Sequence, residues 1–412
     1  MNDFKQSDLP DGNRKSYLLK KRKKRKLTYI ALLVFLLVSI LLIIGGLHYY
    51  NSVKSSLNQS YSTTGLKSEK TAKQLITNQK PISFLILGTD VGTDGGFGSD
   101  RNRADLTDSM MVVTINPKKN TTTLISIPRD IMTSISGFEG SFPQKLNAAY
   151  AFKETSDKSA TLGDGVATTM STIEKMFNIP INYFAMVNMS GLGDIVDQIG
   201  GVSVQSPLTF AFSQETAHAT GNELYQFTEN STSFEYAKNG EDFTKFKKMN
   251  GDAALAFARM RYQDPQGDYG RTQRQRLLLQ GIVTKMKQKP SQVVNLKFIQ
   301  SVTKNIASNL RADDMMDLGT HYLSATKDVK SYSVQGEGQS YNEVSYQRVT
   351  TMQRQAITDM IRKSLDLKAS ETGSEFGSDT TENAIAQVGL ADNMYPEFNT
   401  EKDLNLQKSG GY

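Results

Sequence analysis

Residues 109–127 read SMMVVTIN-PKKN-TTTLISI. Two runs rich in apolar and β-branched residues, Ser109–Asn116 and Thr121–Ile127, flank Pro117–Asn120, whose composition suits a tight turn. This predicts two strands joined by a hairpin, apolar enough to lie inside a covered sheet. Upstream, Ser83–Leu87 (SFLIL) predicts a further buried strand that runs into Gly88-Thr89-Asp90 and a glycine-rich loop over 91–100. Downstream, apolar spacing predicts helices at Leu162–Phe177 and Gly191–Ile199 around a strand at Tyr183–Asn188, then a short strand at Val202–Gln205. Strands alternating with helices indicate an α/β sandwich. Residues 206–250 are polar and aromatic and read as an inserted excursion. Further helices are predicted at Thr272–Gln288, Ser291–Ser308, Asp313–Ala325 and Gln347–Leu365, with a strand at Val329–Val334.

The ends differ from this body. Residues 1–26 carry ten Lys or Arg against three Asp, a charge of +7, so the rest of the +6 chain is close to neutral at −1. The basic balance therefore describes one short tail and does not describe a nucleic-acid-binding body. Lys20–Lys26 is an unbroken basic run, and Leu27–Val53 then contains no charged residue. This predicts a membrane-spanning helix over 27–50, with 1–26 in the cytoplasm, Tyr49 and Tyr50 at the far interface and the remainder outside the cell. Residues 51–80 read as an extracellular stalk, 81–366 as the folded domain, and 367–412 as a flexible acidic tail. There is no Cys, which excludes disulfides, thiolate metal sites and a cysteine nucleophile. Three histidines, one of them His48 beside the apolar stretch, argue against a histidine triad or a multi-histidine zinc site.

The chemistry-bearing residues gather in a few segments. Ala258–Arg276 holds five arginines, Arg259, Arg261, Arg271, Arg274 and Arg276, split by an Asp264-Pro265 loop. Guanidinium forks match phosphate or carboxylate oxygens; local ion pairs to Asp264 and Asp268 are the plainer reading of the same residues. Ile127-Pro128-Arg129-Asp130 places another arginine at a strand end, and Lys145 adds a further cation. Asp90 follows a buried strand, where the functional loops of open α/β sheets begin. With Asp105 or Asp108 it supplies carboxylates suited to Mg²⁺, which takes one or two and leaves positions for phosphate oxygens. The glycines at 88, 92, 95, 96 and 98 fit neither the Walker pattern nor GxGxxG. An inventory of several Asp and about six Arg or Lys describes a clamp for a diphosphate, since phosphoryl transfer needs mainly positioning and charge neutralisation.

The segments GTD at 88–90, RAD at 103–105, TINP at 114–117, IPRD at 127–130, KLNAAY at 145–150, DIVDQIGGVSV at 194–204, ARMRY at 258–262 and GDYGRTQRQ at 267–275 together resemble the LytR–CpsA–Psr family of Gram-positive envelope proteins. The likeness spans roughly residues 83–283. It implies a three-layer α-β-α domain with a central mixed sheet behind a membrane anchor. It also implies an extracellular phosphotransferase, with pyrophosphate hydrolysis as a side reaction. The donor would be a polyprenyl-pyrophosphate-linked anionic glycopolymer such as wall teichoic acid or capsule, and the acceptor the C6 hydroxyl of N-acetylmuramic acid in peptidoglycan. On this resemblance Asp90 is a ligand of Mg²⁺ (or Mn²⁺). Arg129, Arg259, Arg261, Arg271 and Gln275 are pyrophosphate contacts, with Lys145 a further polar contact and Arg103 the arginine of the Arg-x-Asp motif. Three residues, Leu106-Thr107-Asp108, intervene between that motif and the strand. The motif therefore selects Asp105 as second metal ligand, while distance from Asn116 selects Asp108. Asp130 or Asp268 would take the proton of the attacking hydroxyl. Two other readings of the chain are a non-enzymatic lipid or glycan binder and a membrane-tethered transcriptional attenuator.

Overall fold

The computed structural model describes residues 44–89, 106–138, 140–157, 159–288, 296–374 and 376. In chain order the elements are α1 (Lys67–Thr77), β1 (Ile82–Thr89), β2 (Thr107–Asn116), β3 (Thr121–Ile127), β4 (Met132–Thr133), β5 (Gln144–Lys145), α2 (Ala148–Ser156) and α3 (Leu162–Phe177). Then follow β6 (Tyr183–Asn188), α4 (Met189–Gln198), β7 (Phe210–Ser213), β8 (Leu224–Phe227), β9 (Phe234–Ala237), β10 (Thr244–Phe246), α5 (Gly251–Arg259) and α6 (Asp268–Gln288). Last come α7 (Leu296–Asn305), β11 (Ile306–Ser308), α8 (Ala312–His321), β12 (Asp328–Ser333), β13 (Glu337–Tyr341), β14 (Val344–Arg348) and α9 (Thr351–Ser364).

The central sheet runs β11-β6-β1-β2-β3-β12. β1, β2 and β3 pair antiparallel, whereas β6 pairs parallel to β1 and β12 parallel to β3, so the sheet is mixed. Strand periodicity divides its apolar residues between two faces. Leu85, Leu87, Met110, Val112, Ile125 and Ile127 point to one face and pack with Met170, Ile173 and Phe177 of α3 and Ile357 and Ile361 of α9. Phe84, Met111 and Val113 point to the other and pack with Ala72 and Ile76 of α1 and Tyr322 beyond α8. Helices on both faces make the α/β layering that the alternating pattern predicts. A third apolar cluster joins α4, α5 and α6 to a separate four-stranded antiparallel sheet, β10-β9-β8-β7, folded from the inserted excursion.

Several predicted elements differ. Val202–Gln205 is no strand; only Val202 bridges, exchanging backbone hydrogen bonds with Met249. The predicted helix Ser291–Ser308 is helical over Leu296–Asn305 and then becomes the edge strand β11, paired with β6. The predicted helix Gln347–Leu365 starts only at Thr351, where the Thr350 side chain caps it, and Gln347 belongs to a hairpin. Part of the segment read as a stalk is packed: α1 covers one sheet face, and residues 60–62 extend the sheet edge, Ser62 N donating to Ser308 O at 2.8 Å. Part of the segment read as a tail is also held: Lys368, Ser370 and Thr372 hydrogen-bond to α9, and Phe376 is 3% exposed against Met132 and Tyr346. Residues 44–59 are helical, with Ile44, Leu47, Tyr49 and Tyr50 exposed. No helix of the described residues is long and apolar enough to cross a membrane, and 27–43 of the expected span lies outside them.

The arginine-rich stretch is built around one buried latch. Arg274 is fully buried; its Nε donates to Phe257 O at 3.0 Å, its Nη2 to Met260 O, and its Nη1 pairs with Asp264. One guanidinium thus ties the last turn of α5, the loop and the start of α6. Gly270 is required beside it, because a Cβ there would overlap the Asp264 carboxylate. Removing one partner of a buried pair strands the other in low dielectric, so Arg274→Ala is expected to cost about 3–5 kcal/mol. The check is a urea-unfolding midpoint followed by circular dichroism, with Gly270→Ala shifting it in the same direction.

Candidate active site

Three elements end at one place. β3 runs into Pro128-Arg129-Asp130, β2 begins with Thr107-Asp108, and α6 opens with Asp268. Asp108 arrives there through a β-bulge. Gly88 faces Ser109 and Thr89 faces Thr107, so Asp108 is the extra residue left out of the ladder. Bulges re-aim side chains, and this one brings a carboxylate onto Arg129. Arg129 Nη1 donates to Asp108 Oδ1, while its Nε lies 3.2 Å from Asp268 Oδ2 and 3.6 Å from Asp130 Oδ2. The second oxygen of Asp130 pairs with Lys145 Nζ at 2.9 Å, and that of Asp268 with Arg271 Nη2 at 2.6 Å. Three carboxylates and three cations therefore alternate across a narrow cleft of about 40 Å³, lined by Arg129, Asp130, Asp268, Tyr269 and Gln347 among others.

The cleft is held by neutral hydrogen bonds. Tyr269 Oη donates to Gln347 Oε1 at 2.8 Å and accepts from Gly336 N at 3.0 Å, and Gln347 N donates to Asp130 O at 2.8 Å. Asn147 N donates to Arg129 O at 2.9 Å, fixing the arginine's backbone. Burial pushes the Tyr269 phenol up to about 12, so it stays a donor at neutral pH. Lys145 Nζ lies 6.0 Å from the centre of the Tyr346 ring.

The two central arginines differ electrically. Burial pulls the Arg129 guanidinium down, yet Asp268, Asp130 and Asp108 together leave it raised above its ordinary value. Burial also pulls Arg271 down; Asp268 opposes this, Arg129 and Arg261 reinforce it, and Arg271 ends lowered. Its Nε and Nη2 are buried without hydrogen-bond geometry to any described partner, and so is Gln275 Oε1, one helical turn on. Buried polar atoms are nearly always satisfied; here a donor, Arg271 Nε, and two acceptors, Asp268 Oδ1 and Gln275 Oε1, lack hydrogen-bond geometry, and Nη2 keeps the 2.6 Å ion pair to Asp268. The first turn of α6 adds the positive end of a 21-residue helix.

Of the predicted site residues, the structure brings together Asp108, Arg129, Asp130, Lys145, Asp268 and Arg271, with Gln275 on the same face of α6 as Arg271. Arg261 is exposed but near enough to affect Arg271, and Arg259 is exposed at the end of α5. Asp90, Arg103 and Asp105 lie outside the described residues. Two of the five arginines are structural: Arg274 is the latch, and Arg276 donates to Ser126 Oγ and Tyr332 O at 3.1 and 2.9 Å. Tyr269 and Gln347 were missed. Tyr269 stood inside the arginine stretch, and Gln347 carried no signal because its segment read as a helix.

The fold belongs to a known class. The chain matches the LytR_cpsA_psr family over residues 47–363 and is a member of it. It is 33% identical over 347 residues to the polyisoprenyl-teichoic acid–peptidoglycan teichoic acid transferase TagU of Enterococcus faecalis, covering 84% of this chain and 99% of that one. It is equally identical over 352 residues to TagU of Bacillus subtilis, covering 84% and 98%. A crystal structure of a Streptococcus agalactiae protein matches with a TM-score of 0.60 and 29% identity, covering 78% of this chain and 99% of that one.

A charge-assisted hydrogen bond contributes about 1.5–3 kcal/mol. Arg271→Met is therefore expected to weaken inorganic pyrophosphate binding roughly tenfold to a hundredfold by calorimetry. Arg271→Lys should recover only part of it, because lysine has no planar fork.

Proposed function

We propose that the chain is a membrane-anchored extracellular phosphotransferase. It transfers an anionic glycopolymer, such as wall teichoic acid, from a polyprenyl-pyrophosphate carrier to the C6 hydroxyl of N-acetylmuramic acid in peptidoglycan. The observation that carries this reading is the gathering of Arg129, Lys145 and Arg271 at one strand end, with Arg261 near enough to act on Arg271, on a chain of this family. The names of the relatives support the substrate class. The basic run at 20–26 and the uncharged stretch at 27–53 support an anchor with residues 1–26 inside the cell.

In this reading the diphosphate lies across Arg129, Arg261 and Arg271, with Arg259 and Lys145 extending the positive surface and Arg103 joining it from the loop before β2. Gln275, one helical turn on from Arg271, is a further contact to the diphosphate. The muramic acid hydroxyl attacks the sugar-proximal phosphorus; the new O–P bond forms as the bond to polyprenyl phosphate breaks. The arginines neutralise charge on the departing phosphate, and the hydroxyl proton goes to Asp130 or Asp268. Both carboxylates lie in the cation cluster and line the cleft.

The residues present fit a hard cation. The buried Thr89 hydroxyl, which lacks a partner, gives an oxygen donor at the strand end that leads to Asp90. Asp90 would hold Mg²⁺, and because Asp108 is engaged by Arg129, Asp105 would be the second carboxylate. When bound, the ion would supply neutralising charge to the diphosphate oxygens. Among the described residues no group of three or more His, Cys, Asp or Glu could hold a metal.

Full-length protein in detergent with Mg²⁺, lipid-linked glycan and peptidoglycan should release polyprenyl phosphate and yield glycan-bearing peptidoglycan. Arg129→Ala is expected to lower kcat by about 10²–10³, the loss typical of one preorganised charge-stabilising group. Wild-type turnover by that variant would overturn its role. Asp130→Asn and Asp268→Asn separate the two bases: only the true base should lose the acidic limb of the pH–rate profile.

A further inference from the structure

The inserted sheet has one face made almost wholly of aromatic rings. Cross-strand partners lie on one face, and here the registers are Phe210 with Phe227, Tyr225 with Tyr236, and Phe234 with both Phe227 and Phe246. Half of this face is covered. Phe257 of α5 contacts Phe227 and Phe210, with ring centres 5.4 and 6.1 Å apart. The other half is covered less fully: Tyr225 and Phe234 are 5% and 4% exposed, while Tyr236 is half-buried. There Tyr225 and Tyr236 lie 4.7 Å apart, Phe234 and Phe246 stack at 5.3 Å, and Phe246 is 41% exposed. Tyr236 and Phe246, with the buried Tyr225 and Phe234 beside them, line a cavity of about 550 Å³, within the size range of ligand pockets.

The rim of the cavity is polar. Asp197, Asp252, Lys247 and Lys248 stand around it, together with the backbone of Gly200 and Gly201. Lys248 Nζ donates to Gly200 O, and Gly251 N donates to Asp197 Oδ1 at 2.7 Å, so the rim is fixed by its own bonds. Aromatic rings beside carboxylate, ammonium and carbonyl groups match one ligand chemistry. A pyranose offers C–H faces to ring faces, which carry negative potential, and hydroxyls and amides to the rim. A purely apolar ligand would leave the carboxylates unsatisfied, and a polyanion would be opposed by Asp197 and Asp252.

We propose that this trough binds the glycan strand of the peptidoglycan acceptor, at a site separate from the charge cluster. The inference rests on the transferase reading for its choice of glycan. α5 connects the two places, with Asn250 and Asp252 at the trough and Arg259 at the end that leads to Arg261 and Arg271. Its nine residues span about 13 Å. A polymer held in the trough would be carried toward the diphosphate without touching it.

The test uses the full chain in detergent, with soluble N-acetylglucosamine–N-acetylmuramic acid oligomers as probe, in calorimetry and saturation-transfer NMR. Wild type should bind. Phe246→Ala, at a half-exposed position that leaves the core intact, and Asp252→Asn should each weaken binding about tenfold. With these oligomers as acceptor, both should raise the acceptor KM by a similar factor and leave kcat unchanged. Wild-type affinity and KM in both variants would overturn the proposal. If oligomers bind and the variants weaken them while no polyprenyl phosphate is released, the trough stands and the transferase reading fails. If release occurs and neither variant alters oligomer binding, the transferase reading stands and the trough fails.

Discussion

Arg129 is surrounded by carboxylates from three parts of the chain, and the rest of the site follows from that. A buried guanidinium needs a counter-charge in every state. Asp130 comes from its own strand end, Asp108 from a bulge across the sheet and Asp268 from the first turn of α6. Together they over-neutralise Arg129, which is left more firmly protonated than a free arginine. Arg271 shares only Asp268 at contact distance and also feels Arg129 and Arg261. The cluster is thus balanced on the Arg129 side and short of negative charge on the Arg271 side. Arg261 and Arg271 therefore form the less neutralised side of the cluster.

Such a cluster repels itself unless the backbone holds it, and Arg274 does this. Its guanidinium binds two carbonyls and one carboxylate inside the core, closing the loop between α5 and α6. The same residue type therefore does two opposite jobs within four positions. Arg271 is ion-paired with Asp268 inside the charge cluster, and Arg274 is engaged on all three nitrogens by the surrounding backbone and Asp264. Composition cannot separate these roles, since each needs a planar fork with fixed charge. Burial and partner identity can, and both are tertiary facts.

The main sheet was legible because its strands are covered on both faces. Ser109–Ile127 is apolar enough to be read without knowing the fold, and Leu162–Phe177 and Tyr183–Asn188 match the structure residue for residue. Illegible segments are those whose pairing is settled from outside. β13 and β14 are polar on both faces and turn at Asn342-Glu343, both with positive φ, where the usual signal would be Asn-Gly. β11 is three residues long and is a strand because it lies beside β6. The charge cluster was legible as an inventory, through strand ends and arginine spacing. Its geometry was not, because Asp108 reaches Arg129 by a bulge that no local pattern announces.

The excursion between α4 and α5 shows how an insertion can add a surface without disturbing a site. α5 is rich in small residues, Ala253, Ala254, Ala256 and Ala258, all fully buried. At its start Gly251 lies so close to α4 that a Cβ would stand 2.5 Å from Gly193 O and 2.6 Å from Asp197 Oδ2. Two helices in such contact slide or tilt only at the cost of overlap. The distance between the aromatic trough and the arginine cluster is therefore set by packed helices, and loops contribute little to it. Rigid spacing matters only if both places act on one molecule, since two independent sites would need no common ruler. A polymer long enough to occupy both is the ligand class that makes use of it.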